Sequence, residues 1–210
     1  MKRLTSPLSP LHSHLSSLHS HLLLLTFSLL LLTSCGAEQT YSSWSCRFIF
    51  NNGTYLDQTI GAAINPNIPG IFCKVTEDSR GGTRYLIFEN NQGASSSHQM
   101  MAEELRQNMR IGQNGGIIVG VQSMGDFRFA AYDLMCPNCA RRENNIITPN
   151  YPLTLDKKGS AIVTCGKCGD QYDLNNGGLL IKGQEGDKGL ERYRNATTEG
   201  PTGRVVVLSQ

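Results

Sequence analysis

The sequence predicts a mainly β fold, and three observations predict it. Apolar residues come in short runs cut off by turn-forming residues, Trp44 to Phe50, Ile71 to Val75, Thr83 to Phe88 and Gly116 to Val121 among them. Glycine is abundant, 22 of 210 residues, as a chain of many tight turns requires. Helical periodicity is confined to one stretch, Gln99 to Arg110.

The residues ahead of these runs read as a leader. Lys2 and Arg3 open it, and leucine then fills Leu22 to Leu32 except at Thr26, Phe27 and Ser28. Eleven residues suit the apolar region of a signal peptide and are too few to span a bilayer. The stretch ends in Leu32-Thr33-Ser34-Cys35, which resembles the lipobox of bacterial lipoproteins and makes Cys35 the expected lipidation site. Residues 1–34 are thus expected to be a signal peptide and 35–43 a small, polar, lipidated tether. Residues 44–210 then form one domain. The expected location is the bacterial cell envelope, with a lipid anchor in a membrane and the domain periplasmic or surface-exposed.

Without the leader the chain balances 17 basic against 17 acidic residues. That excludes nucleic acid as an expected partner, because phosphate binding needs a basic excess. Four of the five histidines, His12, His14, His19 and His21, lie in the leader, so His98 alone remains.

Along the domain, Trp44 to Phe50 reads as a strand ended by an Asn51-Asn52-Gly53 turn, and Ile71 to Val75 and Thr83 to Phe88 flank a turn at Arg80-Gly81-Gly82. Cys46 and Cys73 sit inside two of these strands, either as buried free thiols or as a cross-strand disulfide. Gln99 to Arg110 is the expected helix: Ser96 with Gln99 fits a capping box, and Met101, Leu105 and Met109 share one face that would pack on a sheet. Glu103 and Glu104 fall on its solvent side, and His98 just before it reads as a polar helix-start residue. Gly116 to Val121 has the continuous apolar character of a strand buried on both faces, and Phe127 to Asp133 leads straight into Cys136. Ser160 to Thr164 leads into Cys165 in the same way. Asn175 to Gly178 is a tight turn, Leu179 to Ile181, Leu190 to Arg194 and Arg204 to Leu208 complete the strands, and Asn195 to Gly203 reads as a loop.

The chemistry is concentrated between residues 134 and 175. Cys136-Pro137-Asn138-Cys139 is followed, after 25 residues, by Cys165-Gly166-Lys167-Cys168. Two such C-x-x-C pairs deliver four thiolates to one tetrahedral metal, and glycine inside the second lets the backbone turn N–H groups onto sulfur. Both pairs hang from strand ends and are expected in opposing hairpin loops.

A strand, Cys-Pro, a hairpin, a strand, then Cys165 with Gly169, Tyr172 and Asp173 before a Gly-Gly turn, resembles a Rieske iron-sulfur domain. With the lipobox and Gly115 to Val119, the chain is similar to the Rieske-like lipoproteins of Bacteroidetes. The resemblance implies an antiparallel β-sandwich with a two-loop metal-binding subdomain, about residues 134–175, and one short helix. It departs at the ligands. A Rieske cluster needs two histidines, yet Cys139 and Cys168 stand near the histidine positions and only His98 is left in the domain.

Three states of the site remain. Four thiolates around zinc make a closed structural centre with net charge −2, and four thiolates around an oxidised two-iron two-sulfur (2Fe-2S) cluster give the same charge. All-cysteine clusters have potentials of about −400 mV against roughly −150 to +300 mV for Rieske centres, so such a cluster would need a strongly reducing partner. The third state is a pair of disulfides or dithiols; Pro149, Pro152 and Asn144-Asn145 after the first pair argue against a thioredoxin-type helix there. Lys167, Gly169 and Tyr172 are expected around the sulfurs, Lys167 as the compensating charge in preference to the solvated Arg141 and Arg142. Asp170 and Asp173 bracket the second pair. No His-based triad, phosphate loop or acid/base carboxylate pair is supported. The expectation is a non-catalytic zinc module, with an electron-transfer 2Fe-2S protein as the alternative and a protein or redox partner of unknown identity.

Overall fold

The computed structural model describes residues 40–143 and 151–209, and within them the chain is built of antiparallel sheets with four short helices. Cys35, the leader and the first part of the tether lie outside the described residues, as do Asn144, Asn145 and Pro149. Among the described residues no helix is long and apolar enough to cross a membrane.

The first strand, β1 (Arg47–Asn51), is followed by α1 (Asn52–Tyr55), α2 (Gln58–Ala63) and the strands β2 (Phe72–Arg80), β3 (Thr83–Asn90) and β4 (Ser95–Gln99). Next come α3 (Ala102–Arg106), β5 (Gly116–Val121), β6 (Phe129–Asp133) and α4 (Pro137–Glu143). The second half holds β7 (Leu153–Leu155), β8 (Ile162–Cys165), β9 (Gln171–Asp173), a 3₁₀ turn at Leu174–Asn176, β10 (Leu179–Lys182), β11 (Asn195–Thr198) and β12 (Arg204–Leu208). Five strands form a central sheet in the order β4-β3-β2-β5-β6, three form β1-β12-β11, and four form β10-β9-β8-β7.

The central sheet has a core on each face. Side chains alternate across a strand, so Ile117, Val119, Cys73 and Val75 join Phe48, Phe50, Val205 and Val207 in one core. Ile118, Phe72, Ala130 and Tyr132 face the other way, against Val163, Tyr172 and three of the cysteines. Burial of every β5 residue follows from this position. Gly120 is needed there, because a Cβ would fall 2.4 Å from the Phe72 ring.

Several expectations are corrected. The helix over Gln99–Arg110 is replaced by β4 and the five-residue α3. Ser96 and His98 pair with Phe88 and Leu86 of β3, so Ser96 caps nothing. Met101 and Leu105 are exposed, at 56% and 44%, while Glu104 is buried and accepts the Met101 N–H at 2.9 Å. The expected turn at Asn51–Gly53 is instead the start of α1, with the Asn51 side chain accepting the Gly53 N–H. Leu190 to Arg194 is no strand; only Arg192 makes isolated bridges, to Tyr41 and Tyr132. The following segment, expected as loop, supplies β11 on the edge of the small sheet.

Cys46 lies just before β1 and Cys73 in β2, on different sheets, and both are buried free thiols. The neighbouring-strand geometry of a disulfide is therefore absent. His98 donates no helix cap: its Nε2 stands 2.5 Å from Asp57 Oδ2, and its ring packs against Tyr55 and Phe88.

Candidate metal centre

The four cysteines meet although 25 residues separate the pairs. Their sulfurs all lie within 4.8 Å of one another, with Cys136 to Cys168 and Cys139 to Cys165 each at 3.7 Å. Cys136, Cys139 and Cys165 are buried and Cys168 is partly exposed.

Local structure explains each position. After β6 the chain is held to β7, with Cys136 N–H donating to Tyr151 O and Leu153 N–H to Leu134 O, both at 2.8 Å. Cys136 then turns into α4, where Pro137 sits at the first helical position and needs no N–H partner. The first pair is therefore a strand-to-helix turn, not a hairpin loop, and the expectation that no helix begins there is overturned. The neighbouring strands are antiparallel throughout, so the βαβ setting of a thioredoxin-type dithiol is missing. The second pair is a hairpin loop between β8 and β9, closed by Cys165 N–H to Asp170 O at 2.9 Å and Gly169 N–H to Cys165 O at 3.0 Å. Gly169 takes the left-handed conformation, φ +77°, that this tight return requires.

Backbone N–H groups are turned onto sulfur in both loops. Burial pushes the Cys136 thiol up to about 12, against lowering by the Tyr172 hydroxyl and the Cys139 N–H. Burial and the neighbouring thiols push Cys139 up as well. At Cys165 burial acts upward too, but the N–H groups of Cys168 and Lys167 and the thiols of Cys168 and Cys136 together hold it below its ordinary value. Metal binding requires thiolates, and a bound cation would favour their ionisation against the burial that opposes it at Cys136 and Cys139.

A polar clasp behind the sulfurs joins the two loops. Asn138, fully buried, donates Nδ2 to Asp170 Oδ2 at 2.8 Å, Tyr172 OH at 2.9 Å and Lys188 O at 3.1 Å. Its Oδ1 accepts the Lys188 N–H at 3.0 Å and bonds the Arg141 guanidinium. The Tyr172 hydroxyl lies 3.3 Å from both Cys136 Sγ and Asp170 Oδ2. Asp173, by contrast, caps the following 3₁₀ turn through Asn175 N–H at 2.9 Å.

Both Lys167 and Arg142 stand near the sulfurs, and each is already paired with a carboxylate. Arg142 bonds Asp187 at 2.5 Å and Asp170 at 3.5 Å. Lys167 pairs with Glu143 and lies over the Tyr151 ring, 4.6 Å from its centroid. The sequence places Asp170 beside the second pair and Arg142 beside the first, the latter as a solvated charge, but gives Asn138 no role, because a polar residue between two ligands looks like loop.

Fold and site together define a mainly β protein with a buried four-cysteine cluster that can hold a metal ion or cluster. No protein-family model, curated protein or solved structure matches the chain.

Proposed function

We propose that Cys136, Cys139, Cys165 and Cys168 hold a single zinc ion, which clamps the strand-to-helix turn to the β8–β9 hairpin in a non-catalytic module. The spacing of the sulfurs carries this reading. Zinc–sulfur bonds of about 2.3 Å in a tetrahedron place sulfurs about 3.75 Å apart, and two of the pairs across the loops, Cys136 with Cys168 and Cys139 with Cys165, stand at 3.7 Å. All four sulfurs lie within 4.8 Å of one another, which supports a single small ion between them. The donors fit zinc chemically: soft thiolates, N–H groups aimed at sulfur, an arginine beside the most exposed ligand.

The architecture supports a Rieske-like module whose histidine positions carry cysteine. A hairpin subdomain, β7 to β10, bears the second loop against the end of β6, with Gly169, Tyr172 and the Gly177-Gly178 turn in the expected order. Four protein ligands leave no open position for substrate, so the metal's role here is to hold the loops. The lipobox motif ending at Cys35 supports a tether to an envelope membrane.

Elemental analysis and the visible spectrum test this directly. The chain from Gly36, purified without added metal, is expected to be colourless with one equivalent of zinc. A reddish protein with iron, and sulfide in equal amount, would replace zinc by the electron-transfer cluster. Four reducible but protected thiols without metal would defeat both.

A further inference from the structure

The described chain begins beside a patch that packing does not explain. Tyr41 is 39% exposed and is pinned by backbone bonds, Ser42 N–H to Arg192 O at 2.9 Å and Arg192 N–H to Thr40 O at 3.2 Å. Two guanidiniums cover its ring, Arg194 at 4.5 Å and Arg192 at 5.3 Å from the centroid, and Arg192 donates to its hydroxyl at 3.2 Å. Arg128 acts on the same hydroxyl from the start of β6. Asp126 pairs with Arg128, so three arginines against one carboxylate leave a net charge of +2. The residues after the leader sum to zero, which makes this a local concentration. Next to Arg128, the β5–β6 turn holds Met124 and Phe127 out to solvent, at 54% and 59%. Phe127 does so with φ +52°, a left-handed backbone that a bulky side chain adopts only at a cost. No buried contact offsets it.

We propose that the face formed by Tyr41, Met124, Phe127, Arg128, Arg192 and Arg194 docks on an anionic lipid surface. Arginines attract lipid phosphates, and exposed aromatic and apolar side chains settle at the headgroup boundary. The inference rests on the lipid-anchor reading of Cys35. Six peptide units join Cys35 to Tyr41, at most about 20 Å of chain, so an acylated Cys35 keeps this face within reach of the headgroups.

The test uses the chain from Gly36, which carries no acyl group and keeps the whole fold, since every buried core residue lies between Cys46 and Val207. Co-sedimentation is measured with vesicles of phosphatidylglycerol and phosphatidylcholine in equal parts, and with phosphatidylcholine alone. Binding to the anionic vesicles only is expected, weakened on the order of tenfold or more by Arg192→Gln with Arg194→Gln, and weakened further at high salt. Phe127→Ser is expected to reduce it as well. The control is Arg80→Gln, which removes an exposed arginine stacked on Tyr85, 5.1 Å from that ring's centroid. Arg80 ends β2, whereas Phe72 at the other end of that strand pairs with Gly120 beside the patch. Binding no better to anionic than to neutral vesicles, or equal weakening by Arg80→Gln, overturns the proposal. So does a dimer in sedimentation that Phe127→Ser dissolves, which would make the face a contact between copies. Mass spectrometry of the Cys35 peptide from the full chain decides the anchor separately, circular dichroism confirms that each variant is folded, and zinc content reports on the metal reading independently.

Discussion

Asn138 shows how a residue between two ligands can matter as much as the ligands. Among the described residues its side chain alone bonds the second loop, through Asp170 and Tyr172, and also the Lys188 backbone in both directions. Removing it leaves the buried Asp170 carboxylate with weaker partners and the Lys188 groups with none of their present side-chain bonds. Leaving buried polar groups unsatisfied costs about 1–3 kcal/mol each. Asn138→Ala is therefore expected to lower stability by about 2–4 kcal/mol in urea unfolding, while zinc stoichiometry stays at one, because all four thiolates remain. A loss under 1 kcal/mol would show that the metal alone positions the loops. Cys136 shares the same arrangement: its sulfur faces the Tyr172 hydroxyl at 3.3 Å, and burial together with Cys136 pushes that hydroxyl's own ionisation upward, so it stays protonated and donates to Asp170 Oδ2 at 3.3 Å.

Short elements depend on their caps, and α2 is the clearest case. Asp57 accepts the N–H groups of Thr59 and Ile60 at 2.7 and 3.0 Å and meets His98 of β4 at 2.5 Å, so one carboxylate fixes a helix start to the edge strand of the central sheet. Burial acts to raise its ionisation, but Ser96, His98 and the Ile60 N–H outweigh it and hold the carboxyl below its ordinary value of 3.8. With the folded value depressed, the stabilisation is complete above the unfolded value and is lost as pH falls through the folded one. Asp57→Ala is expected to cost about 1–2 kcal/mol at pH 7, and the gap to the unsubstituted chain should narrow only below about pH 4. A gap constant down to pH 2 would remove the charge from the explanation. The same strand shows why some elements were hidden in the sequence. Ser95–Gln99 has no apolar residue and offers Ser96 and Gln99 at capping-box spacing, so it mimics a helix start; only pairing with Tyr85 to Glu89 makes it a strand. Asn195–Thr198 is equally polar and is a strand because β12 beside it is apolar. Gly116 to Val121 was legible because burial on both faces demands an unbroken apolar run. The four cysteines were legible because metal ligation imposes spacing within each pair. The clasp of Asn138, Asp170 and Arg142 was not, since its members are brought together from α4 and the β8–β9 loop by the fold alone.

On the scale of the whole molecule, the two cores make different demands. The first joins the central sheet to β1-β12-β11 and contains none of the four clustered cysteines. The second joins the opposite face of the central sheet to β7–β10 and includes Cys136, Cys139 and Cys165. All four of that subdomain's strands are only three or four residues long, too short for a sheet of this size to be robust by hydrogen bonds alone. If the proposed metal joins α4 to the β8–β9 hairpin, its removal should loosen one core and spare the other. Without the cation the loops keep the Asn138–Asp170 bond but lose the tie through sulfur, and burial acts to keep the Cys136 and Cys139 thiols protonated. Hydrogen exchange after chelation is expected to accelerate tenfold or more at residues 134–140 and 162–173. The amides pairing β1 with β12 and β2 with β3, which run through five and eight register positions, should keep their protection. Restoring zinc should restore the slow amides. Uniform acceleration through both cores would mean that the molecule is a single cooperative unit held by the metal, and no acceleration at either loop would mean that the polar clasp suffices without it.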